Sequence, residues 1–237
     1  MMRVEVIRLR PAVLADPGVQ DAAREVVGAA DVGFAGHLDP GARILEQGKG
    51  AEACFIDDFA PGTVVNGMRV LSLEQFAAAP AARRFFNVAV ADGATRMELV
   101  RRCLQAEAAP FGIVSPHSLS YYGNTVGEGA ILCAYTMITS NARVGRYFHA
   151  NIYSYVAHDC VIGDYVIFAP AVRCNGRVIV EDHAYIGTSA VIRNGEPGGE
   201  PMVIGRGAVV GMGAGVTRNV PPGITVAGNP ARPLPRR

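Results

Sequence analysis

The sequence predicts a small α/β domain over residues 1–112 followed by a three-sided parallel β-helix over residues 113–237. Three observations predict it. An apolar residue recurs at every sixth position from Val114 onward, glycine often follows that residue, and the first 112 residues carry no such period.

Stepping by six from Val114 gives Leu132, Ile138, Val144, Ala150, Val156, Ile162, Phe168, Cys174, Val180, Ile186, Ile192, Ile204, Val210 and Val216, and only Ser120, Gly198 and Pro222 are not apolar. Glycine follows at 127, 145, 163, 187, 205 and 211, and the fifth residue of the hexad is often small, as at Ala130, Ala142, Cys160, Ala184, Ala190 and Ala208. Neither the 3.6-residue period of a helix nor strand alternation produces a strict six. A chain that turns a corner every six residues does. Three short sides then close a coil of about eighteen residues, and stacked coils pair as parallel strands about 4.8 Å apart. The span 114–227 supplies about six such coils. The stretch 195–202, GEPGGEPM, fills one hexad with polar residues, Gly and Pro. It reads as an ejected loop, either a tolerated surface insertion or a wall of a ligand groove.

In the first 112 residues, Val4–Leu9, Ala53–Asp58 and Phe86–Ala91 read as strands. Asp21–Val27, Leu73–Ala79 and Ala94–Ala106 read as helices. Alternation of this kind predicts a small, Rossmann-like parallel sheet. Ligands bind beyond the carboxyl ends of such strands, where Asp57 and Asp58 fall. They are candidate contacts for a ribose or base, with simple turn chemistry in DDFAPG as the alternative.

Composition narrows the function. With 22 basic and 21 acidic residues and a net charge of +1, the chain lacks the basic excess of a nucleic-acid binder. It has no apolar run of about 18 residues and no signal-peptide pattern at MMRVEVIRLRP, so no membrane segment is expected. The five cysteines include no CxxC, which argues against a structural zinc or a disulfide framework and for a reducing cytoplasm. Cys160 and Cys174 fall within the repeat and read as small buried hydrophobes.

The segment Asn151–Gly187, NIYSYVAHDCVIGDYVIFAPAVRCNGRVIVEDHAYIG, and the ending VPPGITVAGNPAR at 220–232 resemble the sialic-acid O-acetyltransferase family of hexapeptide-repeat acyltransferases. Among its members, the bacterial enzymes that N-acetylate nucleotide-linked 4-amino-sugars look most similar. The resemblance implies a left-handed β-helix, an acetyl-CoA donor, a nucleotide-sugar acceptor, a homotrimer with active sites between subunits, and no metal. By motif, His158 matches the general base, Asp159 the acid that follows it, and Asn151 a polar residue near the acceptor. Gly176 matches the glycine whose backbone N–H holds the thioester oxygen, and it follows His158 by one coil. The resemblance places CoA against Ile167, Gly176, Thr188, Gly211, Gly213, Asn229 and Pro230, with Arg218 and Arg232 available to its phosphates. One departure stands out. Relatives open with a strand running into a Gly-rich, often His-containing loop that touches the nucleotide, whereas this chain has VIRLRPAVLADPG there.

The chemistry agrees with that assignment. Acetyl transfer needs a base near the attacking atom and a donor for the oxyanion, and histidine suits the base because it titrates near neutrality. The expected function is therefore acetyl-CoA-dependent acetylation of an amino group on a nucleotide-linked sugar, by direct attack in a ternary complex. Three alternatives stay open on sequence alone: acetylation of a sugar hydroxyl, a non-catalytic scaffold, and a γ-carbonic-anhydrase-like metalloenzyme using His149, His158 and His183.

Overall fold

The computed structural model describes residues 4–8, 26–28, 52–65, 68–81 and 84–235. The chain divides into two compact units, Met1–Gly112 and Ile113–Arg237.

In the first unit, strands β1 (Val4–Arg8), β2 (Val26–Gly28), β3 (Glu52–Ile56), β4 (Val64–Val65) and β5 (Met68–Leu71) form one sheet in the order β2-β1-β3-β5-β4. This sheet departs from the expected parallel, Rossmann-like one. β1 runs antiparallel to both β2 and β3, β4 runs antiparallel to β5, and only β3 and β5 are parallel. Two residues separate β4 from β5, a link too short for the crossover that parallel pairing requires. Of the helix expected over Asp21–Val27, residues 21–25 lie outside the described residues, while Val26 and Val27 belong to β2. Paired β-branched residues suit a pleated strand better than a helical turn.

Helix α1 (Leu73–Ala78) starts at a capping box, with Gln75 N–H donating to the Ser72 hydroxyl and Ser72 N–H to the Gln75 side chain. Helix α2 (Gly93–Gln105) starts on Asp92, whose carboxylate accepts from Thr95 N–H at 2.8 Å. It links β6 (Phe85–Phe86) to β7 (Ala109–Pro110), which pair in parallel. This β-α-β unit comes nearest to the expected α/β pattern.

The second unit is a three-sided parallel β-helix. Face I holds Ile131–Leu132, His149–Ala150, Ile167–Phe168, Tyr185–Ile186 and Val209–Val210. Face II holds Met137–Ile138, Tyr155–Val156, Arg173–Cys174 and Val191–Ile192, and face III holds Arg143–Val144, Val161–Ile162, Val178–Val180 and Met202–Ile204. The coils pair at eighteen-residue spacing, as in Ile131↔His149↔Ile167. The spacing grows by six across the 195–202 segment, where Val178 pairs with Met202 and Tyr185 with Val209. That segment is therefore a loop thrown out of the stack. In the last coil the spacing shrinks to sixteen, with Val209 paired to Thr225 and Ile204 bridged to Val220. The six-residue period thus slips by two after Val216. Val220 and Val226, rather than Pro222, fill the interior.

Most hexads turn two residues in, as with Phe148 and Ala150 or Cys160 and Ile162, and these residues form a single continuous core from Leu132 to Val226. Phe148 and Phe168 meet edge to face within it, 5.1 Å between centroids. The inward positions of the first coil, Val114 and Val126, stay 51% and 41% exposed, because no earlier coil stacks beneath them. At each edge one residue adopts the left-handed conformation, and it is often not glycine. Examples are Asn141, Asp159 and Arg177, at φ of 57°, 57° and 60°. That conformation costs a non-glycine residue about 1–2 kcal/mol. Inter-coil hydrogen bonds offset it, such as Asp159 N–H to Ser140 C=O (3.0 Å) and Arg177 N–H to His158 C=O (2.9 Å).

Candidate active site

The edge between faces II and III carries residues 139–142, 157–160 and 175–178 one above another. Ser140, His158 and Gly176 form one column on it, and Asn141, Asp159 and Arg177 form the next. The imidazole of His158 lies across the space left by the missing side chain of Gly176. A Cβ built on Gly176 would meet His158 Nε2 at 2.5 Å, Cε1 at 2.6 Å and Cδ2 at 2.9 Å. His158 and Gly176, eighteen positions apart in sequence, are thus in contact.

The opposite side of the ring is engaged. His158 Nδ1 lies 2.8 Å from Asp159 Oδ2, and Asn141 Nδ2 lies 3.5 Å from Asp159 Oδ1. A proton held on Nδ1 by the carboxylate leaves the Nε2 lone pair free to accept one. The hydrogen bond with His158 holds the Asp159 carboxyl below its ordinary pKa, so it is an anion at neutral pH. Both side chains are at least half exposed, at 59% for His158 and 50% for Asp159, so a substrate can reach the ring. Gly176 itself is buried, and its carbonyl accepts from Gly195 N–H at 3.0 Å. Its N–H makes no hydrogen bond among the described residues.

Sequence reasoning missed the groups that hold this peptide. Asn175 Nδ2 donates to Ile192 C=O at 2.9 Å, and the Tyr155 hydroxyl donates to Asn175 Oδ1 at 2.7 Å. Burial raises the Tyr155 pKa and keeps its hydroxyl protonated as a donor. Arg177 donates through Nη2 to Gly199 C=O (2.9 Å), tying the ejected loop to the same edge. Beside that loop lies a hollow of about 420 Å³, lined by Arg193, Glu196, Thr217, Arg218 and Asn219 among others. The eighteen-residue columns 141/159/177 and 157/175 were the available sequence clue to these neighbours.

The remaining expected residues fall elsewhere. Asn151 does not line this groove. It is 6% exposed and its amide donates to Phe168 C=O at 2.8 Å, bracing one coil against the next. Thr188, Gly211, Gly213, Asn229 and Pro230 lie along the edge between faces I and II, and Ile167 is buried on face I. In the first unit, Asp57 is buried and accepts from Phe59 N–H at 2.9 Å, a turn contact. Asp58 accepts from Leu73 N–H at 2.8 Å and pairs with Arg102 at 2.5 Å. Burial would raise the Asp58 pKa, but Leu73 N–H and Arg102 outweigh it and hold the carboxyl low. A hollow of about 570 Å³ opens beside this pair, lined by Ser72, Glu74, Arg102 and Gln105 among others. The GFAGH segment at 33–37 and the VIRLRPAVLADPG segment beyond Arg8 lie outside the described residues.

All five cysteines are buried as free thiols, and burial pushes Cys103 up to about 12, far from a reactive thiolate. Among the described residues, no three His, Cys, Asp or Glu side chains are grouped to hold a metal ion. His149 sits on face I, His183 stacks on Tyr165 at the edge between faces III and I, and His158 stands on the edge between II and III. No helix among the described residues is long and apolar enough to cross a membrane.

Comparison with known proteins adds the chemical context. No protein-family model matches the chain. It is 49% identical over 191 residues to the GDP-perosamine N-acetyltransferase of Escherichia coli O157:H7, covering 81% of this chain and 86% of that one. WeeI from Acinetobacter baumannii superimposes with a TM-score of 0.74 at 50% identity, covering 76% of this chain and 84% of that one. The acetyltransferase domain of PglB from Neisseria gonorrhoeae, in complex with acetyl coenzyme A, superimposes with a TM-score of 0.72 at 25% identity, covering 82% of this chain and 92% of that one.

Proposed function

From a chain that belongs to the hexapeptide-repeat acyltransferases, close to GDP-perosamine N-acetyltransferase, we propose an enzyme that N-acetylates GDP-perosamine with His158 as its base. The broader activity is that of its family: acetyl-CoA-dependent transfer to an amino group of a nucleotide-linked sugar. The observation that carries the site assignment is the His158 ring lying over Gly176, with Nδ1 on Asp159 and Nε2 free.

His158 Nε2 takes a proton from the sugar amine as its nitrogen attacks the thioester carbon. The carbonyl oxygen gains negative charge and accepts a hydrogen bond from Gly176 N–H. The tetrahedral intermediate collapses, the C–S bond breaks, and the imidazolium returns its proton to the departing CoA sulfur. Asp159 orients the ring and stabilises the imidazolium while it exists. No acyl-enzyme is needed, and no cysteine stands where it could form one.

The chain works as a homotrimer in this reading. His158 and Gly176 occupy one edge of the prism, while Thr188, Gly211, Gly213, Asn229 and Pro230 occupy another. A single prism cannot close both sets around one thioester, but a threefold arrangement brings unlike edges of neighbouring chains together. The first unit serves the acceptor, with its nucleotide at the hollow beside Asp58 and Arg102. The left hand of the coil follows the fold of the acetyltransferase relatives. The broader grouping with sialic-acid O-acetyltransferases rests on the Asn151–Gly187 motif, and the cytoplasm is where acetyl-CoA and nucleotide sugars meet.

The test is thiol release from acetyl-CoA in the presence of GDP-perosamine. His158→Ala is expected to lose at least ~10²-fold in turnover while keeping its melting temperature. Undiminished turnover in that variant refutes the assignment of the base.

A further inference from the structure

The amide that offers Gly176 N–H to the thioester oxygen has its other end inside the prism. Its carbonyl belongs to Asn175, and Cys160 Sγ lies 3.1 Å from that oxygen, placed to donate its S–H. Cys174 Sγ lies farther from the same oxygen, at 3.9 Å. Both cysteines are fully buried in the apolar core. Hydrogen bonding with Cys174 lowers the Cys160 pKa, while burial opposes an anion on its sulfur. Hydrogen bonding with Cys160, reinforced by burial, pushes the Cys174 thiol well above its ordinary pKa. The arrangement sets a buried donor on the carbonyl, while the N–H of the same planar trans peptide points the opposite way.

Nothing in the mechanism above uses either thiol. A packing role requires only a small apolar side chain, and alanine fills that position at 142, 184, 190 and 208. An alanine there would give Asn175 C=O no such donor. A carbonyl that accepts a hydrogen bond shifts electron density toward oxygen and makes the N–H of its own amide a stronger donor.

We propose that Cys160 is a positioning residue that holds and polarises the Asn175–Gly176 peptide so that Gly176 N–H binds the oxyanion more strongly. The inference rests on Gly176 N–H being the oxyanion donor. Such a donor contributes about 10²–10³-fold to rate, and a neighbouring bond strengthens a hydrogen bond by roughly 10–30%. Applied to the logarithm of the rate, that fraction is about 2- to 8-fold.

The experiment compares single-turnover rates of Cys160→Ala, Cys160→Val, Cys160→Ser and His158→Ala with acetyl-CoA and GDP-perosamine, alongside KM and melting temperature. Alanine removes the donor, valine removes it while keeping the interior filled should alanine fail to fold, and serine restores a donor of similar size. The expected result is a ~2- to 8-fold loss of rate in the folded apolar variant with KM for both substrates unchanged. Serine should restore the rate even where it does not restore the melting temperature. A wild-type rate in the apolar variant, or a loss in serine equal to that in alanine, overturns the inference while an inactive His158→Ala leaves the site standing. An active His158→Ala overturns the site and the inference together.

Discussion

Replacing Gly176 with alanine isolates the contact on which the mechanism turns. The backbone at Gly176 lies outside the left-handed region, so alanine fits it without conformational strain. The new methyl, however, would stand 2.5 Å from Nε2 of His158, with two further ring atoms inside 3.0 Å. Ordinary contact begins near 3.4 Å, so the ring must retreat by about 0.9 Å. It can do so cheaply, because the side chain is 59% exposed and swings into solvent. Misplacing a reacting group by about 1 Å costs on the order of 10²-fold in rate. The peptide N–H survives the substitution, so the proposed oxyanion donor is retained. We therefore expect Gly176→Ala to lose about 10²-fold in turnover, with KM for acetyl-CoA within a few-fold and a melting curve close to wild type. Steady-state thiol release, paired with thermal unfolding, measures all three quantities. A folded Gly176→Ala enzyme with more than about a third of wild-type turnover would show that the ring does not act from where it lies.

Three further outcomes concern Asp159, the aromatic core and the Asp164 ion pair. Asp159→Asn should reduce turnover by about tenfold, since an exposed pair couples weakly and only the orientation of the ring is lost; wild-type turnover in that variant would remove Asp159 from the mechanism. Phe168→Ala empties part of the prism where the ring is fully buried against Phe148, and should cost about 3–5 kcal/mol in denaturant unfolding; a loss under about 1 kcal/mol would contradict the continuous core. Burial tends to raise the Asp164 pKa, but hydrogen bonds from the Arg146 side chain and backbone N–H outweigh it and leave it depressed. A depressed carboxylate stabilises above its unfolded pKa and loses that contribution as pH falls through the folded value. Asp164→Asn should therefore destabilise by up to about 1 kcal/mol at neutral pH, and its melting temperature should converge with wild type in acid; a gap that widens on acidification would reverse the sign.

The parts of the molecule legible in the sequence are those governed by repetition. Every third turn of the six-residue period brings back the same face, so the contact between His158 and Gly176 follows from counting. Counting failed where the chain stopped repeating. The corner after Val216 is two residues short, and the period carried past it nominated Pro222 when Val220 and Val226 had taken the interior. At Asn151 the motif fixes a position in the coil, but not whether the amide turns outward or, as here, onto Phe168 C=O. In the first unit, alternating strands and helices are compatible with several sheets, and pairing direction depends on contacts between segments distant in sequence. The parallel order inferred for β1 was therefore beyond what composition could decide. The 141/159/177 column could have been found by the same arithmetic as the base, had polar residues been stacked as carefully as apolar ones.

The ejected loop shows which changes of length this architecture can absorb. Val178 meets Met202 just as Val161 meets Ile179 one coil earlier, although six more residues intervene. Chain can be spliced in at a corner and the pleats above and below close over the seam, whereas one residue added within a flat side would turn every later hydrophobe outward. Grafted segments, tags or randomised libraries therefore belong at Gly198–Gly199, which overhangs the reaction edge and leaves the interior untouched.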